Sequence, residues 1–289
     1  MVLLEGLGAR FTSFCQSLSG NSENLQARTS LICRQLVQSE PSRLTGRGLE
    51  AAARGCCAWL HGFSGTDPDL DAAARELLGN IWDEGFRAAT LVGFSNTEAL
   101  YAVLSLYRIA YGPTVAASDY SLAEQCDALA SSLLEHPVGR HSAFDGCEDD
   151  TILMHVAANL YCYVVPEDLE DDDIVESLRS IAGRWKEDRS ASVDLLLRRL
   201  CAIEAADGLF GEWRPALPPA SAVASPEGLS ALVRILARRL DDPAALAEAC
   251  AALERQLSLS LDLSAVASLL EGLGALRMLT EEGAVLNCA

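Results

Sequence analysis

The sequence predicts an all-α protein of about twelve helices, arranged as hairpins in one domain of residues 1–289. Three observations support this fold class. Apolar residues recur at helical spacing along most of the chain, capping residues precede many of these stretches, and alternating strand-like segments joined by Asn-Gly turns are absent from the sequence. Because 50% of the residues are hydrophobic and only 22% are charged, the chain can build a substantial core.

Helix starts are marked by capping residues. A capping side chain stands directly before a proline, which suits the first helical position, at Asp67-Pro68, Ser225-Pro226 and Asp242-Pro243. Capping-box spacing occurs at Ser95–Glu98 and at Ser121–Glu124. We therefore expect a helix to begin at each of these places.

Apolar stripes follow these starts, and one of them consists of Leu229, Leu232, Val233, Leu236 and Leu240. In chain order, we expect helices at about residues 2–18, 23–37, 47–61, 68–88, 95–111, 120–135, 148–164, 171–187, 190–205, 226–240, 243–258 and 262–277. The segment "LYCYVV" (160–165) is strand-like in composition, and we interpret it as the buried end of a helix. A stretch rich in Pro, Ala and Ser, residues 211–228, predicts a long loop within the domain.

Two arrangements suit this number of helical hairpins. One is a closed ring of inner and outer helices, an α/α toroid. The other is an open solenoid of helical repeats. The sequence has no residue pattern that repeats at a fixed period, which favours the toroid over the solenoid.

A turn motif also favours the toroid. The segment "EAADGLFGEW" (204–213) is similar to the Gln-x-x-Asp-Gly-x-aromatic turn of α/α toroids such as squalene-hopene cyclases and the β-subunits of protein prenyltransferases. Glu204 stands where that pattern has Gln, and Asp207, Gly208 and Phe210 match it. Asp207 can accept hydrogen bonds from backbone amides, and Gly208 can adopt a positive φ. The resemblance implies a toroid built by these helices.

Net charge, hydropathy and cysteine spacing indicate which partners and which cellular compartment to expect. A net charge of −19 argues against nucleic acid and anionic membranes, because both would be repelled, and it favours a neutral or cationic ligand. No apolar run reaches the roughly 18 residues that a membrane span needs, and "MVLLEGLGARF" lacks a basic leader, so we expect neither a span nor a signal peptide. Ten cysteines without CxxC spacing indicate a reduced, cytoplasmic protein.

An acidic helix start, "FDGCEDDTILMH" (144–155), is the candidate site. Its "EDDT" resembles the Asp-x-Asp-Asp-Thr motif of class II terpene cyclases, with Cys147 at the position of the first Asp. The resemblance implies that Asp149 protonates an alkene, that Glu148 and Asp150 tune its acidity, and that Thr151 adjoins the substrate. An isolated alkene is a very weak base, so such a donor must be neutral, acidic and held in an apolar cavity.

The same resemblance implies an apolar, isoprenoid-like substrate and no cofactor. Tyr107 and Tyr111 lie one helical turn apart, and in a cyclase such rings would line the cavity and stabilise carbocations. Cyclases of this group usually form their cavity between two toroid domains, and 289 residues suffice for one. A homodimer, or a pocket inside one ring, would have to supply the remaining wall.

Two metal sites are alternatives that we do not favour. "FDGC" also resembles the Asp-Gly-Cys of the protein farnesyltransferase β-subunit, which would make Asp145, Cys147 and His155 zinc ligands of a prenyltransferase-like protein. Asp172-Asp173-x-x-Glu176 has the spacing of the magnesium motif of class I terpene synthases, whose usual second motif is absent from this sequence.

Two further interpretations require no chemistry. Acidic residues at a helix start are stabilised by the helix macrodipole, at roughly 0.3–1 kcal/mol each, without any ligand, and this applies to both acidic runs, 145–151 and 167–176. A non-catalytic helical scaffold, whose acidic surface meets a basic partner, is the rival class of function. An enzyme of the toroid group needs an enclosed apolar pocket, whereas a scaffold would fill its centre with Leu and Ala side chains.

Overall fold

The computed structural model describes residues 22–90, 96–111, 124–126, 151, 154, 173–205, 213–257 and 262–286 of the 289-residue chain. Every regular element within these residues is a helix. Nine are α-helices, and two are single 3-10 turns, at Pro41–Arg43 and Ala220–Ala222. The predicted all-α fold class is confirmed.

The α-helices of the described part of the chain, in order, are α1 (Ser22–Val37), α2 (Gly46–Phe63), α3 (Pro68–Thr90), α4 (Asn96–Ala110), α5 (Asp173–Glu187), α6 (Val193–Glu204), α7 (Pro226–Arg239), α8 (Pro243–Leu257) and α9 (Leu263–Leu286). Their bounds agree with the predicted segments to within a few residues. The exception is α9, which was predicted to end at residue 277 but continues to Leu286. Gly283 lies within this extension, and a glycine weakens a helix by about 1 kcal/mol without breaking it. The predicted segments 2–18 and 120–135 and most of 148–164 lie outside the described residues.

Three predicted caps are confirmed. The backbone N–H groups of Leu70, Gly228 and Ala245 donate to side-chain oxygens of Asp67, Ser225 and Asp242, over 3.1, 3.0 and 2.9 Å respectively. Each bond satisfies one amide that the first helical turn leaves without a partner.

The Glu98 carboxylate, predicted to cap its own helix, accepts a hydrogen bond of 3.1 Å from the backbone N–H of Arg47 in α2. It therefore links the starts of two neighbouring helices. Its predicted partner Ser95 lies outside the described residues, as does Ser121.

Helices α2, α4, α7 and α9 are the most buried of the described elements. Helix α2 packs against α1, α3, α4 and α9, and α9 packs against α1, α2, α7 and α8. Helix α6 covers α7. The resulting core is rich in Leu and Ala, and its largest fully buried side chain is Trp59 of α2.

The contact between α2 and α9 is unusually close at two points. A Cβ atom added to Gly62 would lie 3.0 Å from the Cα atom of Gly274, and one added to Gly55 would lie 3.4 Å from the Cα atom of Ala267. Small residues on both helices therefore allow the two backbones to approach each other. This contact joins the first helices of the described chain to the last one.

An open solenoid keeps its first and last repeats apart, so the packing of α9 on α1 and α2 favours a closed arrangement. Closure of a ring would also involve residues 112–172, of which only 124–126, 151 and 154 are described. The toroid therefore stays a prediction, supported by this contact.

The loop predicted at residues 211–228 is shorter in the structure. Residues 213–219 and 223–225 are not helical, but α7 already begins at Pro226, because Ser225 caps it and proline fits its first position. Trp213 and Leu217 of the loop pack against the main core. These two side chains attach the loop to the main core, and the single domain stays a prediction.

The cysteines that the structure describes are free thiols. Cys33, Cys56, Cys126, Cys201 and Cys250 are buried, and Cys57 is partly buried. Among the described helices, none has the length and apolar character that crossing a membrane requires.

Candidate functional site

A polar cavity of about 120 Å³ lies where α2, α4, α6, α7 and α9 meet, and we call it the central cavity. Helix α2 contributes Arg47, Glu50 and Arg54 to its wall, and α7 contributes Glu227, Ser230, Ala231 and Arg234. The other described residues of the wall are Tyr101, Thr151, Arg198, Cys201, Asp262, Ser264 and Ser268. The described wall of this cavity is thus polar and charged, although the surrounding core is rich in Leu and Ala.

Beside the central cavity, five residues form the central charge cluster, which consists of Glu50, Arg54, Arg108, Arg234 and Glu271. The Glu50 carboxylate accepts a hydrogen bond of 2.7 Å from Nε of Arg108. The Glu271 carboxylate accepts one of 2.7 Å from Nη1 of Arg54. Helices α2, α4, α7 and α9 each contribute at least one charge, so the cluster joins the four most buried helices.

The Arg54 guanidinium is almost fully engaged. Besides its bond to Glu271, Nη1 lies 3.2 Å from Oγ of Ser268, and Nη2 donates to the backbone carbonyl of Ser264 over 3.2 Å. Nε lies 3.3 Å from Oε1 of Glu50 but in a geometry that makes no hydrogen bond. With a further bond of 3.3 Å from Nη2 to Oγ of Ser264, Arg54 donates four hydrogen bonds to α9.

Arg234 differs from Arg54 in that two of its nitrogen atoms have no hydrogen-bond partner. Its side chain is only 9% exposed, and its nearest ion-pair partner is Glu271, at 3.6 Å from Nε to Oε2. This distance is too long for a hydrogen bond. Both Nε and Nη2 of Arg234 are buried without a hydrogen-bond partner. A buried donor without a partner destabilises a fold by about 1–3 kcal/mol, and more when the group is charged.

The positive charges around Glu271 lower the pKa of its carboxyl group. Desolvation by burial favours the neutral acid, but Arg54, Arg234, Arg108 and Arg238 outweigh it and hold the pKa of Glu271 below its ordinary value. Glu271 is therefore ionised at neutral pH and shared between Arg54 and Arg234. Arginines keep their charge at physiological pH, so these side chains can bind and orient an acceptor, but they cannot transfer a proton.

A second cavity, of about 210 Å³, lies between α2, α7 and α9, and Arg234 lines it as well. Its wall is made largely of small residues, among them Ala58, Gly62, Ala237, Gly274 and Ala275. Arg234 therefore stands between two spaces, one polar and one mostly apolar. A third space, of about 810 Å³, is a surface groove between the 214–220 loop, α7 and α8.

The predicted acid site is described only at its last residue. Thr151 is helical, buried, and part of the wall of the central cavity. Glu148, Asp149 and Asp150 lie outside the described residues, so the general-acid role stays a prediction.

The predicted aromatic wall is described in full. Tyr107 is buried in a small apolar cluster with Tyr101 and Leu104, and its ring stacks on that of Tyr111, with 5.9 Å between the centroids. Tyr111 is 51% exposed. Neither ring lines any of the three spaces above, whereas Tyr101 of the same helix lines the central cavity. Their role as substrate contacts stays a prediction.

The residues of the two metal alternatives lie mostly outside the described chain. This holds for Asp145, Cys147, His155 and Asp172. Asp173 begins α5, and Glu176 of the same helix is exposed and lies 3.9 Å from Arg179. Within the described residues, no three His, Cys, Asp or Glu side chains are grouped as metal ligands would be.

Sequence reasoning missed Glu50, Arg54 and Arg234, although the sequence contains a signal for them. Arg234 interrupts the apolar run "LVRIL" of α7, and Glu50 and Arg54 stand one turn apart among the alanines of α2. A charged residue inside an apolar stripe is either paired in the core or faces a site. Here the three side chains meet at one cavity.

The motif residue Glu204 has a partner in the structure. Its carboxylate accepts a hydrogen bond of 2.9 Å from Nε of Arg239, and this pair ties the end of α6 to the end of α7. Asp207, Gly208 and Phe210 lie outside the described residues.

In comparisons with known proteins, no protein-family model, no curated protein and no solved structure matches this chain.

Proposed function

We propose that this chain is a ligand-binding helical protein that holds a small molecule in its central cavity. One observation carries the proposal: four buried polar atoms of residues that line the cavity have no hydrogen-bond partner. They are Nε and Nη2 of Arg234, Nε of Arg54 and Oγ of Ser230. In a scaffold that binds no ligand, replacing such groups with apolar side chains of similar volume would often stabilise the fold.

The test is to fill the cavity and to compare ligand responses. Ala231→Leu places three more carbon atoms in the wall of the central cavity, while Ala237→Leu, on the same helix, does so at the second cavity. We expect that a small molecule that raises the Tm of the wild type loses its effect in Ala231→Leu and keeps it in Ala237→Leu. If every stabilising compound acts equally on all three proteins, the central cavity is not the binding site.

A terpene-cyclase-like activity is the second candidate. The observation that favours it is the position of Thr151, the last residue of the cyclase-like "EDDT", in the wall of the central cavity. In this proposal Asp149 is the general acid, Glu148 and Asp150 separate its pKa from theirs, and the substrate is an apolar isoprenoid.

Size limits this second candidate. Ligand pockets usually measure about 300–1,000 Å³, so an isoprenoid chain needs more apolar volume than the 120 Å³ of the central cavity. The second cavity, the undescribed residues, or a second copy of the chain in a homodimer would have to provide it. Tyr107 and Tyr111 would face the substrate only in such an arrangement.

The experiment for this candidate is direct. The purified protein is incubated with farnesyl diphosphate, geranylgeranyl diphosphate and squalene, with and without a chelator, and products are identified by mass spectrometry. We expect a cyclised product from wild type, little from Asp149→Asn, and wild-type yield from the matched variant Asp173→Asn in the other acidic run. Equal yield from wild type and Asp149→Asn, or no product from any substrate, ends the cyclase hypothesis.

A further inference from the structure

We propose that the central cavity is an oxyanion site, in which Arg234, Arg54 and Ser230 bind a phosphate or carboxylate group of a small hydrophilic ligand. This inference rests on the proposed function and specifies the chemistry of its ligand. It runs against the expectation from net charge, which favoured a neutral or cationic ligand. Local charge and local hydrogen bonding decide the question inside a cavity.

The hydrogen-bonding inventory points to an acceptor. Six buried polar side-chain atoms in the described residues are without a partner, and four of them belong to residues that line this one cavity. Three of the four are guanidinium N–H groups, which can only donate, and the fourth is a hydroxyl, which can donate. The missing partner is therefore a group with several acceptor oxygens. A guanidinium suits phosphate or carboxylate best, because its N–H groups match two oxygens at once.

The balance of charges around the cavity also favours an anionic ligand. Across the whole chain 22 basic residues face 41 acidic ones, but the described residues of the cavity wall include four arginines and three acids. Glu271, the nearest anion to Arg234, already accepts a bond of 2.7 Å from Arg54 and lies 3.6 Å from Arg234. One carboxylate thus serves two guanidinium groups. An added anion would complete the coordination of Arg234.

Volume limits the ligand. A cavity of about 120 Å³ has room for a few water molecules, which is the scale of a phosphate or a small carboxylate group. Glu50, Glu227 and Asp262 in the same wall would repel a highly charged group such as a triphosphate. The fitting ligand carries one or two negative charges and few heavy atoms beyond its anionic group.

The experiment measures stabilisation by small anions. Tm is recorded with increasing sodium phosphate and, separately, with sodium acetate, each against sodium chloride of the same ionic strength. The same anions are titrated by isothermal calorimetry. We expect a saturable rise in Tm with at least one of the two anions, beyond the effect of chloride, because a ligand that binds only the folded state stabilises it. Whichever anion acts distinguishes a phosphate site from a carboxylate site.

Variants locate the effect. Arg234→Met keeps the length of the side chain and removes its donors, and we expect its Kd for the active anion to rise at least about tenfold. Ser230→Ala removes one donor without changing charge, and a rise of about threefold is expected. Arg239→Met, on the same helix but paired with Glu204 outside this cavity, should bind like wild type. If Arg234→Met fails to fold, Ser230→Ala decides the matter.

The outcomes separate this inference from the broader one. An equal anion response in wild type, Arg234→Met and Ser230→Ala overturns the oxyanion site. So does the absence of any response beyond chloride, which would mean that water alone fills the cavity. If glycerol or methylammonium then stabilises wild type but not Ala231→Leu, ligand binding survives with a different chemistry. If no probe distinguishes wild type from Ala231→Leu, both proposals fall.

Discussion

Leu240 is an apolar residue in a conformation that favours glycine. It ends α7 in the left-handed region, with φ of 53°, and its N–H group donates to the carbonyl of Leu236. The sequence placed Leu240 in the apolar stripe of this helix, but the side chain is 40% exposed, because the helix ends one residue earlier. Neither burial nor backbone preference therefore favours leucine here.

We expect Leu240→Gly to raise the free energy of unfolding by about 0.5–1 kcal/mol. Glycine removes the strain of the left-handed conformation, roughly 1–2 kcal/mol, but loses part of this gain to its greater freedom in the unfolded chain. Urea denaturation gives the value. Leu240→Ala is the control, since it keeps the strain, and it should not stabilise the protein. A gain as large in Leu240→Ala would contradict the argument from φ.

Glu271 gives the protein an acid-dependent contribution to stability. Burial favours its neutral form, but Arg54, Arg234, Arg108 and Arg238 lower its pKa in the folded state below the ordinary value of 4.5. A carboxyl group with a depressed folded-state pKa binds its proton more readily when the chain is unfolded. Its contribution is therefore fully present above about pH 4.5 and is lost as the pH falls through the lower folded-state pKa.

We expect Glu271→Gln to lower the free energy of unfolding by about 1–3 kcal/mol at neutral pH, because two arginines lose a charged partner. The difference from wild type should shrink as the pH falls through the lowered folded-state pKa of Glu271, because the wild-type side chain then also becomes uncharged. Urea midpoints at neutral pH and at a series of acidic pH values test this. Glu254→Gln breaks the exposed pair with Arg28 and should change stability by less than about 1 kcal/mol. A pH-independent effect of Glu271→Gln would contradict the mechanism.

At the site, Thr151 is the one described residue of the predicted acid motif, and it lines the central cavity. Its role as a substrate contact stays a prediction. Arg54 and Arg234 could not be placed together from the sequence, because their meeting depends on how α2 and α7 pack around α9. Local patterns specify the residues of one helix but not which residues of distant helices face each other.

At the scale of elements, the sequence was most informative about helix starts. Capping residues act through the first turn alone, so Asp67, Ser225 and Asp242 could be assigned without knowing any tertiary contact. Helix ends were less certain. Residues 278–286 contain two acids and a glycine, which indicate a stop, and yet α9 continues through them.

The space around a glycine shows how closely its helix packs against the neighbouring helices. A Cβ atom on Gly46, at the start of α2, would lie 2.0 Å from the backbone oxygen of Glu98 in α4. A Cβ atom on Gly79, in α3, would meet nothing within 4 Å. The same substitution should therefore have opposite effects at the two positions.

We expect Gly46→Ala to destabilise the protein by about 1–3 kcal/mol, because α4 must shift to relieve the clash. Gly79→Ala should stabilise it by about 0.5–1 kcal/mol through helix propensity alone. Thermal and urea unfolding of the two variants supply the comparison. Equal effects of the two substitutions would mean that α2 and α4 are not in contact at this point.

At the scale of the whole molecule, the buried thiols report on global stability. Burial raises the pKa of Cys33 and of Cys250 to about 12, and that of Cys56 well above its ordinary value. These three cysteines belong to α1, α8 and α2, and all three are part of the main core. Only unfolding of the core can expose them together as reactive thiolates.

We therefore expect native protein at about pH 8 to leave Cys33, Cys56 and Cys250 unmodified by iodoacetamide, while protein in concentrated urea is modified at all three. Peptide mapping by mass spectrometry reads each site separately. As urea rises, the three sites should become reactive together and in step with the loss of helical circular dichroism. Rapid modification of one site in native protein would show that its helix opens independently.

The contact between α2 and α9 has a consequence for synthesis on the ribosome. Phe63 ends α2 and Leu263 begins α9, so 200 residues must be translated between the two helices. At roughly 5–20 residues per second, this takes about 10–40 s. During that interval, the face of α2 that α9 later covers stays without its partner. The nascent chain therefore carries a helix face that only a late part of its own sequence can bury.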